Sequence, residues 1–242
     1  MQRSQNDVES RIDWGIIFCV LLLALIGLAS IYVAAVHDRQ QTSVARQVIT
    51  QLVWYAVGTI LIIVIMQFDA EQLWKLAPIV YWLSVFLMFA ILVFYSRAYY
   101  ASTGAKSWFA IGPFTFQPSE IMKPAYILMM GRVITTHNNR YSVHTVDSDW
   151  RLIGTMFLWL LPILVSLKFQ NDFGTGLVFF AIFCGMVLVS GVTWRILAPA
   201  ATILVVVGGS ALAMVTSSVG RQILEHVGFQ AYQFDRVDTW LH

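Results

Sequence analysis

The chain has 242 residues, of which 58% are hydrophobic and only 12% carry charge. A soluble globular domain carries about 25% charged residues, and even a large core needs a polar surface around it, so a soluble fold is excluded and lipid takes the place of that surface. The formal net charge of +2 gives no basic field for a nucleic-acid partner.

The chain opens on a polar stretch, residues 1–13, with Arg3 and Arg11 set among Asp7, Glu9 and Asp13. The apolar run that follows, Trp14–Val36, is longer than the roughly 7–15 residues of a signal-peptide h-region and long enough to span a bilayer. It is expected to remain as the first helix. Further runs of spanning type lie at Val48–Met66, Leu76–Tyr95, Pro118–Ile134, Leu152–Leu167, Phe173–Ser190 and Ile196–Val215. The fold expected is therefore all-α, a polytopic transmembrane helix bundle of about seven spans, the fourth and fifth the shortest. Trp14, Trp54, Tyr55, Trp74, Tyr95, Tyr99, Trp150 and Trp194 fall near span ends, where an aromatic belt belongs. Cys19 and Cys184 both lie within apolar runs and read as lipid- or core-facing side chains, not as a disulfide.

An odd number of spans puts the termini on opposite sides. The positive-inside rule does not orient them, because Lys and Arg divide almost evenly between alternate loops. With the N-terminus inside, Lys106, Lys123 and Lys168 collect on the outer side. Either they are scattered snorkelling residues, or they form a cationic cluster for an anionic ligand at the outer face.

Four segments stand apart from simple spans. Residues 104–116 are too interrupted by Gly104, Gly112 and Pro113 to cross a membrane and too aromatic for a solvated loop. They fit an interfacial or re-entrant element with Lys106 near lipid phosphates, or a hydrophobic loop packed on helix ends. In Gln117-Pro118-Ser119-Glu120-Ile121-Met122-Lys123, Pro118 suits a first helical turn, Glu120 complements the positive dipole end, and Glu120 and Lys123 share a face at i, i+3. The pair either pins the helix or lines a cavity. Asp172, after Lys168-Phe169-Gln170-Asn171, suits an N-cap of the sixth span, with a second role facing Lys123, a metal or a hydroxyl left open. The stretch 217–242 is polar with a short amphipathic portion, and reads as the start of an outer loop that stops midway.

No Walker A loop, dinucleotide fingerprint, nucleophile elbow or metal-ligand spacing of histidines is present. ATP-driven pumps, serine hydrolases and zinc proteases lose their support.

Gly104-Ala105-Lys106-Ser107-Trp108, then Gln117-Pro118-Ser119-Glu120-x-x-Lys123, then Gln170-x-Asp172-x-Gly174-Thr175 resemble, in order and spacing, the SEDS family of RodA, FtsW and SpoVE. The resemblance is closest to RodA-type elongation proteins and extends to the tail around Tyr232-Gln233 and Arg236. It implies a bacterial plasma-membrane protein with a cytoplasmic N-terminus and a family fold of about ten bilayer-crossing spans. The implied activity is polymerisation of peptidoglycan glycan strands from lipid II, beside a class B penicillin-binding protein and in contact with membrane lipids. Under this resemblance Lys106, Trp108, Glu120, Lys123 and Asp172 are the substrate-binding candidates, the lysines facing the pyrophosphate. No cofactor is evident; a divalent cation is the one candidate. The chain has Ser107 where the family usually has Arg, and Asn171 and Phe173 where it usually has Pro and Leu. The family's catalytic aspartate and last three helices lie beyond His242, so a chain ending there is expected to be inactive alone. The other functions considered are a lipid II flippase, disfavoured by the lack of inverted repeats, and a non-catalytic scaffold for the penicillin-binding partner.

Overall fold

The computed structural model describes residues 13–37, 44–111, 114–141, 143, 145–217 and 219–222. The tail motif at Tyr232, Gln233 and Arg236 lies outside the described residues, as do Gly112 and Pro113. In chain order the elements are α1 (Trp14–His37), α2 (Val44–Met66), α3 (Ala70–Phe94), α4 (Arg97–Thr103), β1 (Phe109–Ile111), β2 (Phe114–Phe116), α5 (Pro118–Arg140), α6 (Val146–Gln170), α7 (Phe173–Val189) and α8 (Trp194–Thr216). Each of the seven expected spans is a helix. The antiparallel β1–β2 hairpin, which pairs Phe109 with Phe116, is an addition to an otherwise all-α chain.

The chain divides into two compact units at Lys75/Leu76. In the first, α1 begins at Asp13, whose Oδ1 accepts the Gly15 and Ile16 amides at 2.8 and 3.3 Å. Its Gly27 lacks the Cβ that would meet the Tyr55 hydroxyl at 3.1 Å, and that hydroxyl donates to the Ala24 carbonyl at 3.1 Å. Beyond this contact the two helices are apolar over most of their length, with Arg46, Gln47 and Gln51 in the opening turns of α2; Ala35 is the one buried residue of α1 and α2 has none. A helix of that character is a core helix or a membrane span, and both α1 and α2 are long and apolar enough to cross a membrane.

The second unit, from Leu76 onward, has a packed interior. The helix α6 lies at its centre, burying Leu152, Met156, Leu160, Ile163 and Leu167 along one stripe spaced by three and four residues, the separation that puts side chains on one face. Against it pack Tyr81 and Met88 of α3, Met122, Tyr126, Met129 and Met130 of α5, and Phe179 of α7. Unbranched, polarizable methionine fills the irregular gaps between such helices.

Polar residues fix the register. The Ser166 hydroxyl donates to the Met88 carbonyl at 2.8 Å, and the Gln170 amide donates to Met88 O at 3.0 Å and to Ser166 Oγ at 2.8 Å. The Tyr81 hydroxyl donates to the Trp159 carbonyl. At the other end of the unit, fully buried Asp149 accepts the Thr193 amide at 2.9 Å, while Asn138 donates to the Ser190 carbonyl at 3.0 Å. The short α7–α8 turn is thus held from both α5 and α6.

Helix lengths depart from expectation in two places. Instead of ending at Leu167 after a late start, α6 has 25 residues, because Thr145 and Ser148 form a reciprocal capping box that begins it at Val146. The shortest of the seven is instead α7, at 17 residues. Five described helices, α1, α2, α3, α6 and α8, are long and apolar enough to cross a membrane. In contrast, α5 runs six residues past its apolar stretch and ends on His137, Asn138, Asn139 and Arg140, which are headgroup or aqueous residues.

Gln170→Leu removes both side-chain bonds from a buried site. It is expected to cost about 1–2 kcal/mol, read as a lower unfolding midpoint of the detergent-solubilised chain, whereas Ser102→Ala on exposed α4 leaves the midpoint in place.

Candidate functional site

Three separate stretches of sequence meet at one end of the second unit. The first follows α4, where Gly104 closes the helix at φ 70° and its amide returns to Tyr100 O; glycine adopts this left-handed conformation without penalty. The chain then passes Lys106, whose amide donates to the Gln170 carbonyl at 2.8 Å, and Trp108, whose carbonyl accepts from the Ser96 amide at 2.9 Å. The Lys106 ammonium lies 5.3 Å from the Tyr95 ring centroid and 5.8 Å from that of Tyr100, distances at which cation–π attraction operates. The Trp108 ring stacks on Tyr99 at 5.9 Å, and Ser107 between them is buried.

The second stretch begins α5. Gln117 occupies the N-cap without a side-chain cap bond, and Pro118 follows in the first turn. One turn on, the Lys123 ammonium donates to both Glu120 oxygens, at 2.7 and 2.8 Å. An ammonium has three N–H donors, so one stays available. The Lys123 side chain is 27% exposed and that of Glu120 57%, which makes the pair a partly solvated one of small energetic weight.

The third is the α6–α7 turn. Asn171, in the left-handed region at φ 61°, ends α6 with its amide directed to Leu167 O and Lys168 O. Asp172 then caps α7, accepting the Thr175 amide on Oδ1 at 3.1 Å, and accepts Gln117 Nε2 on Oδ2 at 3.2 Å. Its capping role is the structural one the sequence suggested, and the Gln117 bond comes in addition.

Two hydrogen bonds, Lys106 N–H to Gln170 and Gln117 to Asp172, therefore join all three motifs. The five candidate residues are not all in mutual contact. Among the described residues Lys123 pairs with Glu120, Asp172 bonds Gln117 and Thr175, and Lys106 rests against tyrosines. A cavity of about 440 Å³ opens beside the turn, with Lys168, Asn171 and Asp172 at its polar end and Leu164, Gly176 and Phe180 in its apolar part. Asp172 lines it; Lys106, Trp108, Glu120 and Lys123 do not.

Sequence reasoning passed over the parts played by Gln117, Gln170 and Tyr100. A signal existed for Gln117: glutamine is not among the favoured N-cap residues, so its place before Pro118 points to a side chain engaged elsewhere.

Apolar helices wrapped around a polar, lysine-bearing end define a multi-pass α-helical membrane protein. The family model FTSW_RODA_SPOVE, described as "Cell cycle protein", matches residues 13–242, and the chain belongs to that family. It is 27% identical over 190 residues to the peptidoglycan glycosyltransferase RodA of Treponema pallidum, covering 78% of this chain and 41% of that one. It thus spans well under half the length of this curated relative. Among solved structures it resembles the Thermus thermophilus rod shape determining protein RodA at 27% identity and TM-score 0.58, covering 81% of this chain and 59% of that chain. A chain from a peptidoglycan synthase complex shares the fold at TM-score 0.61 and 24% identity, covering 88% and 57%.

Because the Glu120–Lys123 pair is solvated, Glu120→Gln is expected to change the stability of the purified chain by less than about 1 kcal/mol. A larger drop in its unfolding midpoint would make the pair a structural pin.

Proposed function

We propose that this chain is the membrane-embedded part of a peptidoglycan glycosyltransferase that extends glycan strands from lipid II, with its N-terminus cytoplasmic and the Lys106–Lys123–Asp172 end facing outward. The observation that carries the proposal is the convergence of the three motifs through Lys106–Gln170 and Gln117–Asp172 in a chain whose relatives are named peptidoglycan glycosyltransferases. A class B penicillin-binding protein is the partner that fits, since the shared fold occurs in a peptidoglycan synthase complex.

The chemistry asks for two things. In glycosyl transfer a sugar hydroxyl attacks the anomeric carbon and gives up its proton to a base, while the bond to a lipid-linked pyrophosphate breaks and negative charge gathers on the departing group. Preorganised cations facing that charge lower the barrier. The described residues supply this second part. The Lys123 ammonium, oriented by both Glu120 oxygens, keeps one donor for a phosphate oxygen. The Lys106 ammonium, held by ring faces that leave its N–H groups unsaturated, is a second. Asp172 keeps Gln117, and with it the start of α5, in position. Among the described residues no three His, Cys, Asp or Glu side chains are grouped to hold a metal, and the lysines carry the charge in this scheme. The SEDS resemblance favours a polymerase over the flippase and scaffold alternatives, and the assay below separates them.

In nanodiscs the chain is expected to bind lipid II, with Lys123→Ala weakening the affinity about tenfold to a hundredfold, the worth of a charge-assisted contact. Glycan strands formed by the longer polypeptide carrying this segment support the polymerase; lipid II movement across vesicles without strands means a flippase. Equal affinity of wild type and Lys123→Ala, both folded, would overturn the role given to the lysine.

A further inference from the structure

At the end of the second unit opposite Lys106 and Asp172, α6 and α8 open on the same pair of residues, Trp150-Arg151 and Trp194-Arg195. One hydrogen bond sets the two openings side by side. The Thr193 amide, just before Trp194, donates to the carboxylate of Asp149, just before Trp150, at 2.9 Å. Both tryptophans and both arginines are exposed. Beside them lies an apolar cavity of about 460 Å³, with Trp150, Phe183, Val187, Leu197 and Leu204 on its walls and no charged side chain among them. Its walls are the opening turns of α6, the closing half of α7 and the opening half of α8, so it occupies the half of the bundle nearest the two Trp-Arg pairs.

The charges at this end are unevenly satisfied. Arg151 pairs with Asp147 at 3.0 Å, and Asp149 is buried and accepts the Thr193 amide. Arg195 has no carboxylate partner among the described residues. The N-cap of α8, Thr193, makes no side-chain cap bond, so the positive end of that helix dipole adds to the charge of Arg195. Anchoring at the interface accounts for tryptophan and arginine at the end of a span. It does not account for the cavity beside them.

Length bears on what fills that cavity. Along α8 it extends from Ile196 to Val207, about 16 Å at 1.5 Å per residue. One leaflet of a hydrocarbon core about 30 Å thick is about 15 Å deep. An acyl chain whose phosphate sits level with Arg195 therefore ends where the cavity ends. Basic pockets between membrane helices recognise anionic headgroups in this way.

We propose that the α6–α7–α8 cavity is a site for an anionic glycerophospholipid, its phosphate on Arg195 and one acyl chain between Phe183, Val187 and Leu204. The site lies at the opposite end of the unit from the three motifs and asks for no sugar, so it stands or falls apart from the glycosyltransferase reading.

The test uses the full chain in phosphatidylcholine nanodiscs holding a small fraction of phosphatidylglycerol that carries a photoreactive diazirine on one acyl chain. A parallel sample holds the same fraction of phosphatidylcholine tagged in the same way. After irradiation, mass spectrometry of the digested chain locates the adducts. The expected result is phosphatidylglycerol on the peptides carrying Phe183, Val187 and Leu204, about fivefold above tagged phosphatidylcholine, as one cation near an anionic headgroup gives. Arg195→Glu is expected to bring the yield down to the phosphatidylcholine level, and Arg195→Lys to keep it. Leu204→Trp, which fills the cavity and leaves Arg195 in place, is expected to remove the adducts at Phe183 and Val187. Equal labelling by the two lipids, adducts spread evenly over all the spans, no adduct within the cavity, or a yield indifferent to Arg195→Glu or to Leu204→Trp overturns the proposal.

Discussion

The polar end of the second unit depends on one buried side chain, Gln170. It is 1% exposed, and its side-chain amide nitrogen divides between the Met88 carbonyl of α3 and the Ser166 hydroxyl of α6, while the backbone carbonyl of the same residue accepts the Lys106 backbone amide. In a bundle surrounded by hydrocarbon no water is at hand to satisfy such a group, so each bond must come from protein, and each defines where a neighbour lies. Through this residue the position of α3 against α6 and the path of the Lys106 loop are set together. Asp172, two residues on, does the same for the start of α5 through Gln117.

Around that end the molecule sorts its residues by solvent. In the first unit α1 and α2 bury almost nothing among the described residues, as suits helices long and apolar enough to cross a membrane. In the second, α6 buries one stripe against its neighbours, and the charged or polar groups of α5 gather towards its ends: Glu120 and Lys123 in the opening turns, His137 to Arg140 in the last. The buried Asp149 is tolerated because it accepts the Thr193 amide, and a buried carboxylate without such a donor would be costly.

The lysines show how a cationic end is kept without collapse. Three positive side chains drawn together would repel one another in a medium of low dielectric. Here each has a different arrangement: Lys106 rests against two tyrosine rings, Lys123 shares the carboxylate of Glu120, and Lys168 stands exposed beside the cavity at the α6–α7 turn.

From the sequence alone the membrane-spanning character, the seven helical stretches and the Glu120–Lys123 pair were legible. Long apolar runs have one favourable environment, and residues three apart on a helix share a face whatever surrounds them. The family motifs were legible in the same way, as short patterns carried within single segments. What tertiary structure decided were the relations between segments: the bond of Gln117 to Asp172, fifty-five positions away in the chain, and the role of Gln170 as a junction. The capping box that lengthens α6 was written in Thr145 and Ser148 yet went unread, because hydropathy registers apolar length and not where polar side chains close a helix. Periodicity and composition describe each helix against its solvent; which polar groups find one another across helices is settled only when the bundle packs.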